Sequence, residues 1–215
     1  MKNYTLTGGG YVKFELGDAT DSALTTAIAH EFILCKDSFE RFVHYSSLNI
    51  MGARDKLTKI RSHDAYTSFL HHLYEFHVGC IKRDRRNLNS LNYQILDRIF
   101  NTEVRKLLRN RIHAIENGYA PSWENHISVY QIEVSEEFGA QFRHIRNRTA
   151  HVSTKRATPS SELPLAEFYR RYHKFIYLLY YSAQWMWTTK DIEAQNWKSI
   201  EDFDLSVQLT GPSPT

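Results

Sequence analysis

Cysteine is scarce in this 215-residue chain: there are two, Cys35 and Cys80, both inside apolar stretches of helical pattern. Neither has a CxxC partner or a neighbouring base to lower its pKa, which leaves no thiol redox or thiolate-metal motif, and both read as small core residues. Long hydrophobic runs are missing too. The longest, Phe175 to Trp187, is interrupted by Ser182 and Gln184 and is short of the roughly 20 apolar residues a membrane span needs. The opening Met1-Lys2-Asn3-Tyr4-Thr5 contains no apolar core of a secretory signal, so a cytoplasmic location is expected. There is no internal repeat and no alternation of strands with helices, which removes solenoids and doubly wound folds. Gly8-Gly9-Gly10 is not followed by GK[ST], so a phosphate-binding loop is excluded.

What is present is an ordinary folded composition, 42% apolar and 24% charged, with a high aromatic share of 13%. The net charge of +3 is small, but it is unevenly spread. From Lys82 to Arg111 nine Lys or Arg face three acids, leaving the rest of the chain at −3. Such a segment can attract phosphate, or it can be the solvated face of a long helix.

Residues 4–16 alternate apolar and polar side chains around the glycines, which predicts a small N-terminal β-hairpin. From Asp18 the period becomes helical. Helices are expected from Asp18 to a break at Gly52, over about 53–86, over about 88–116 with Asn117-Gly118 as a left-handed cap, over about 133–152, and from Ser161-Glu162-Leu163-Pro164 to about 188. Residues 119–132 read as a connection with a short alternating piece. The fold class is therefore all-α: a bundle of about five helices with a small hairpin. Residues 1–17 form the hairpin unit, 18–190 the bundle, and 191–215 an extension with a loose tail. The last helix carries Phe168, Tyr172, Phe175, Leu179, Ser182 and Met186 along one seam, while Tyr169, Tyr177, Tyr181 and Trp185 lie off it. It is either central to the bundle or meets a second chain.

The fourth helix holds the most suggestive chemistry. Val134, Phe138, Phe142 and Ile145 form its apolar face, and Arg143, Asn147 and His151 follow at i, i+4 and i+8. Asn147 and His151 are then neighbours, close enough for the amide to orient the imidazole. Arg146 stands about 140° from His151 around an ideal helix, so a distorted helix end or two facing copies would be needed to bring both to one atom. Metal-independent RNA cleavage needs these two residue types. Histidine exchanges a proton with the 2′-hydroxyl or the leaving 5′-oxygen, and arginine holds the phosphate oxygens as charge gathers on them.

Arg146-Asn147-Arg148-Thr149-Ala150-His151 resembles the R-x4-6-H motif of the HEPN superfamily, including the polar residue after the arginine. The motif's place in a late helix, with one more long helix after it, is similar to that family as well. The hairpin and the 119–132 connection fall outside the resemblance. It implies a homodimer whose two motifs share a cleft, and a metal- and cofactor-free endoribonuclease, a toxin or antiviral defence effector, that leaves a 2′,3′-cyclic phosphate. Arg146 would stabilise the phosphorane, His151 act as base or acid, and Asn147 position it. An acidic residue on an early helix is common in the family; Glu75 is the candidate accessory, beside Arg143. Lys155, Arg156, Arg148, Lys82 and Arg83 would track the RNA backbone. Lys82 and Arg83 also suit the carboxyl end of a helix dipole without any ligand. In one branch a tyrosine stands two residues after the histidine; here it is Ser153, so regulation through that tyrosine is not expected. A partner protein that neutralises or regulates is compatible with the resemblance. The alternative within the family is a non-catalytic module binding a nucleotide or a protein. Outside it, His71 and Glu75 at i, i+4 are a possible metal pair, but no second E-x-x-H accompanies them.

Overall fold

The computed structural model describes residues 13–150, 163–187 and 197–210. Helix α1 spans Ala19–Ile50, α2 Lys56–Asp84, α3 Tyr93–Glu116, α4 Phe138–Ala150, α5 Leu165–Trp187 and α6 Lys198–Thr210, with one 3-10 turn at Ile127–Val129. Side-chain caps set the starts of the first three. Asp18 accepts from the Asp21 amide at 2.7 Å, Asp55 from Thr58 at 2.7 Å and Asn92 from Gln94 at 2.8 Å, each satisfying an amide with no partner in the first turn. The Asn92 cap explains why α3 begins at 93 rather than about 88. Helix α3 ends at Gly118, whose φ of 71° is the left-handed conformation glycine adopts without strain.

Helices α1 and α2 form a long antiparallel hairpin, and α4 packs on α2, α3 and α5. The core between them is strongly aromatic. Phe32, Phe69, Phe76, Phe100, Phe138, Phe142, Phe168 and Tyr180 are all buried in one cluster, with Phe138, Phe142 and Ile145 the inward face of α4. The inward face of α5 is broader than a two-residue seam: Phe168, Tyr172, Phe175, Ile176, Leu179, Tyr180 and Ala183 are buried. Cys35 is fully buried and Cys80 partly so, and burial pushes the Cys80 thiol up to about 12, so both are inert core thiols.

The predicted hairpin is corrected by the structure. No strand exists among the described residues; Lys13 makes an isolated antiparallel bridge with Asn87, and the Phe14 amide donates to the Arg86 carbonyl at 3.3 Å. Alternation signals an edge seeking a partner but does not say which. Here residues 13 and 14 pair with the chain leaving α2, which lets the Phe14 side chain bury. Residues 4–12 of the expected hairpin lie outside the described residues. Two further differences concern short elements. The alternating piece of the 119–132 connection holds a 3-10 turn at Ile127–Val129, and residues 198–210, expected as part of an extension, are helical.

Two histidines lie deep among aromatic rings. His173 stacks on Tyr169 with ring centroids 4.4 Å apart and faces the Tyr66 hydroxyl at 3.2 Å; His77 meets Phe100 edge-on at 5.9 Å. Burial lowers both to about 4, against an ordinary value of 6.5. The unfolded chain therefore takes up protons that the folded chain refuses. Stability is full above about pH 6.5 and falls as the pH drops toward 4. A lower thermal midpoint at about pH 5 than at pH 7 is expected, with the difference reduced in His173→Phe; equal midpoints would contradict the assignment.

Candidate functional site

Residues 138–150 form a helix because Phe138, Phe142 and Ile145 recur on one side, and that side is buried. Burying it turns Arg146 toward α2. There its guanidinium pairs with the Glu75 carboxylate, donates to Asn147 Oδ1 at 2.9 Å and lies over the Tyr74 ring at 5.7 Å. The side chains of Arg146 and Glu75 are 25% and 28% exposed, so the pair is partly desolvated while a solute can still reach it. Asn147 thus orients the arginine. His151, Lys155 and Arg156 lie outside the described residues.

Arg143, expected on a ridge with Asn147, is directed to α3. It donates through Nε and Nη2 to Asp97 at 3.0 and 2.9 Å and covers the Tyr93 ring at 4.7 Å. The Asp97 hydrogen bond holds its pKa above the usual arginine value. Between the two arginine–carboxylate pairs stands Tyr74, packed on Phe100 and Phe142 at 5.0 and 5.2 Å. Burial first, then the Asp97 charge, raises its phenol to about 12, so it is neutral at physiological pH. Below this row, Asn101 ties α3 to α4: its amide donates to the Glu136 carbonyl at 2.7 Å and its oxygen accepts from the Gly139 amide at 2.8 Å. Asp97, Asn101 and Tyr74 escaped the sequence reading. The signal was there for the first two: they are polar residues four apart within the apolar stripe Leu96, Phe100, Val104 and Leu108, a spacing that puts them on a buried face.

His71 precedes Glu75 by one turn. Burial, then the charges of His72 and Arg146, lower its pKa, so it is a neutral neighbour of the ion pair. With Glu75 engaged by Arg146 and His72 by Glu31 at 2.9 Å, the His71–Glu75 pair gains no third ligand; no group of three His, Cys, Asp or Glu suited to a metal occurs among the described residues. Among the described residues, the other predicted basic side chains do not converge on Arg146. Arg83 is clamped by Asp21 at 2.6 and 3.0 Å, tying the end of α2 to the start of α1, and it lies two turns beyond Glu75, about 12 Å along the helix with Lys82 beside it. Arg148 donates to the Leu163 carbonyl at 2.7 Å, bridging α4 to the approach of α5. The basic run is partly neutralised by acids from elsewhere, since Arg83, Arg105 and Arg111 pair with Asp21, Glu136 and Glu124.

The outer side of α5 borders two adjoining open clefts of about 630 and 320 Å³, shared with α3 and the 119–132 connection. Arg111, Trp123, Leu178 and Tyr181 border both. Arg111 is held there by Glu124 at 2.8 Å and by the Tyr181 ring at 4.6 Å. Tyr177 and Tyr181, which lie off the α5 seam, line these clefts. No helix among the described residues is long and apolar enough to cross a membrane. No known family model, no curated protein and no solved structure matches this chain.

Proposed function

We propose that this chain is an HEPN-type endoribonuclease acting without a metal on single-stranded or loop RNA, in the role of a toxin or antiviral defence effector. The 2′-oxygen attacks phosphorus while His151 takes its proton. The 5′-oxygen leaves with the proton that His151 returns to it, and the product is a 2′,3′-cyclic phosphate beside a 5′-hydroxyl. Arg146 neutralises the charge that gathers on the non-bridging oxygens. The observation that supports this reading is the Arg146 side chain itself. It is partly exposed, aimed by Glu75 and Asn147, and carried on the helix that leads directly to His151. Five residues on an ideal helix separate two side chains by about 140°, and a homodimer in which each copy completes the other's cleft would bring an arginine and a histidine together; a monomeric mass in light scattering would count against that arrangement.

One observation favours the second reading, a non-catalytic module that binds a nucleotide or a protein partner. Glu75 already occupies Arg146, and a carboxylate there competes with phosphate for the same donors. Incubation of total tRNA and a mixed-sequence single strand in EDTA separates the two. Fragments ending in cyclic phosphate are the expected result. Intact RNA would overturn the ribonuclease reading and favour the binding module, whose ligand is then sought among nucleotides and partner proteins.

A further inference from the structure

The α1–α2 hairpin extends beyond the part of it that is packed. Along α1 the last fully buried residue is Ser38, along α2 the first is Ala65, and none of residues 39–64 is buried. Phe42 still reaches Tyr169 and His173 of α5 at 6.1 and 6.0 Å. From Val43 to Ile50 the helix runs on for about 12 Å, and it meets α2 within the hairpin, as where Arg61 lies over the Tyr45 ring at 5.8 Å.

Its tip is apolar where solvent exposure would favour polar residues. Ile50 and Met51 are 84% and 78% exposed, and Leu57 and Ile60, three residues apart on α2, are 54% and 62% exposed. Scattered apolar residues on a surface mean little, but four of them around one turn form a patch that needs a reason. The charge around them has one sign. Residues 50–61 hold Arg54, Lys56, Lys59 and Arg61 against a single acid, Asp55. That acid is consumed as the α2 cap, accepting from the Thr58 amide. No acid pairs with Lys56 or Lys59 among the described residues; the nearest acid beyond, Asp64, faces Arg41 at 3.8 Å.

We propose that the hairpin tip docks on an anionic lipid surface, with Ile50, Met51, Leu57 and Ile60 entering the headgroup boundary and the cations around them meeting lipid phosphates. A protein groove would bury the apolar residues but has no general need for a net positive collar. An RNA backbone would take the collar but gain nothing from four exposed aliphatic side chains. A negatively charged bilayer interface satisfies both features at once. The tip lies at the far end of the hairpin from the α1 start and α2 end that Arg83 and Asp21 join, and the inference does not depend on the ribonuclease reading.

The test is flotation of the full chain with vesicles of phosphatidylcholine alone and of phosphatidylcholine with a third phosphatidylglycerol. Ile50→Asp/Met51→Asp and Lys56→Glu/Lys59→Glu are the variants, with circular dichroism confirming the helices. Since the tip is outside the core, neither pair should unfold the protein. Binding to the anionic vesicles alone is expected, falling about tenfold or more in each variant and weakening with added salt. No binding to anionic vesicles, or equal binding by wild type and variants, would overturn the proposal. So would either of two alternative losses in the tip variants without vesicle binding: a reduced molecular mass, indicating a second copy, or reduced RNA retention, indicating a nucleic-acid contact.

Discussion

Arg146→Ala is expected to reduce RNA cleavage in EDTA by about 100-fold or more, the usual consequence of removing a preorganised charge stabiliser, while leaving the chain folded. The loss should fall on kcat more than on KM, because the charge that Arg146 meets develops only in the transition state. Arg146→Lys restores the charge but not the planar fork that binds Glu75 and Asn147 together, so it should recover little. His151→Ala should give a loss of about 100-fold or more by removing the proton carrier. Glu75→Gln separates aiming from chemistry. It weakens the hold on Arg146 and lowers the competition with phosphate, so KM falls if Glu75 mainly competes and kcat falls if it mainly aims. If wild type cuts and Arg146→Ala cuts equally well at the same thermal midpoint, the arginine takes no part in the reaction and the proposed site is wrong.

Gly139→Ala should be the most damaging small change in the bundle. At an exposed helix position the substitution would be favourable by about 1 kcal/mol. At position 139 a β-carbon would come within 2.2 Å of the Asp97 carbonyl oxygen and 2.6 Å of its Cα. These are backbone atoms of a neighbouring helix, which cannot rotate aside, so α4 must lift from α3. Overpacking of this kind costs about 1–3 kcal/mol and occasionally more. The Asn101–Gly139 hydrogen bond and the Arg143–Asp97 pair span the same contact and would loosen with it. At about 2–4 °C per kcal/mol for a chain of this size, the thermal midpoint should drop by about 2–12 °C. Because α4 also carries Arg146, RNA cleavage should fall in the fraction that stays folded. A midpoint at or above wild type would mean that α3 and α4 are not in backbone contact at this crossing.

Helix periodicity and capping residues made most of the bundle legible in the sequence. Phe138, Phe142 and Ile145 announce the buried face of α4, and Asn117-Gly118 announces the end of α3. What periodicity does not carry is the identity of the partner across a gap. The alternation up to Leu16 predicted a hairpin, but residues 13 and 14 join Asn87 and Arg86 some seventy positions later. The same limit applies to the candidate site. Arg143 and Arg146 look alike as members of one helix, and only tertiary packing sends the first to Asp97 and the second to Glu75. Gly139 carried no local signal, since its role is set by the backbone of another helix.

The unequal covering of the α1–α2 hairpin has a consequence for how the molecule opens. Its distal turns, from Val43 to Asp64, are held by hairpin neighbours alone among the described residues, whereas the proximal turns share the aromatic cluster with α4 and α5. The two halves of one continuous helix pair should therefore exchange their amide hydrogens on different schedules. Distal amides would exchange through local fraying at a small free energy, and those around Phe32 and Phe69 only when the whole bundle opens. A protease would nick the tip first and leave a protein whose melting is nearly unchanged, because the calorimetric transition belongs to the cluster and not to the arm that extends from it.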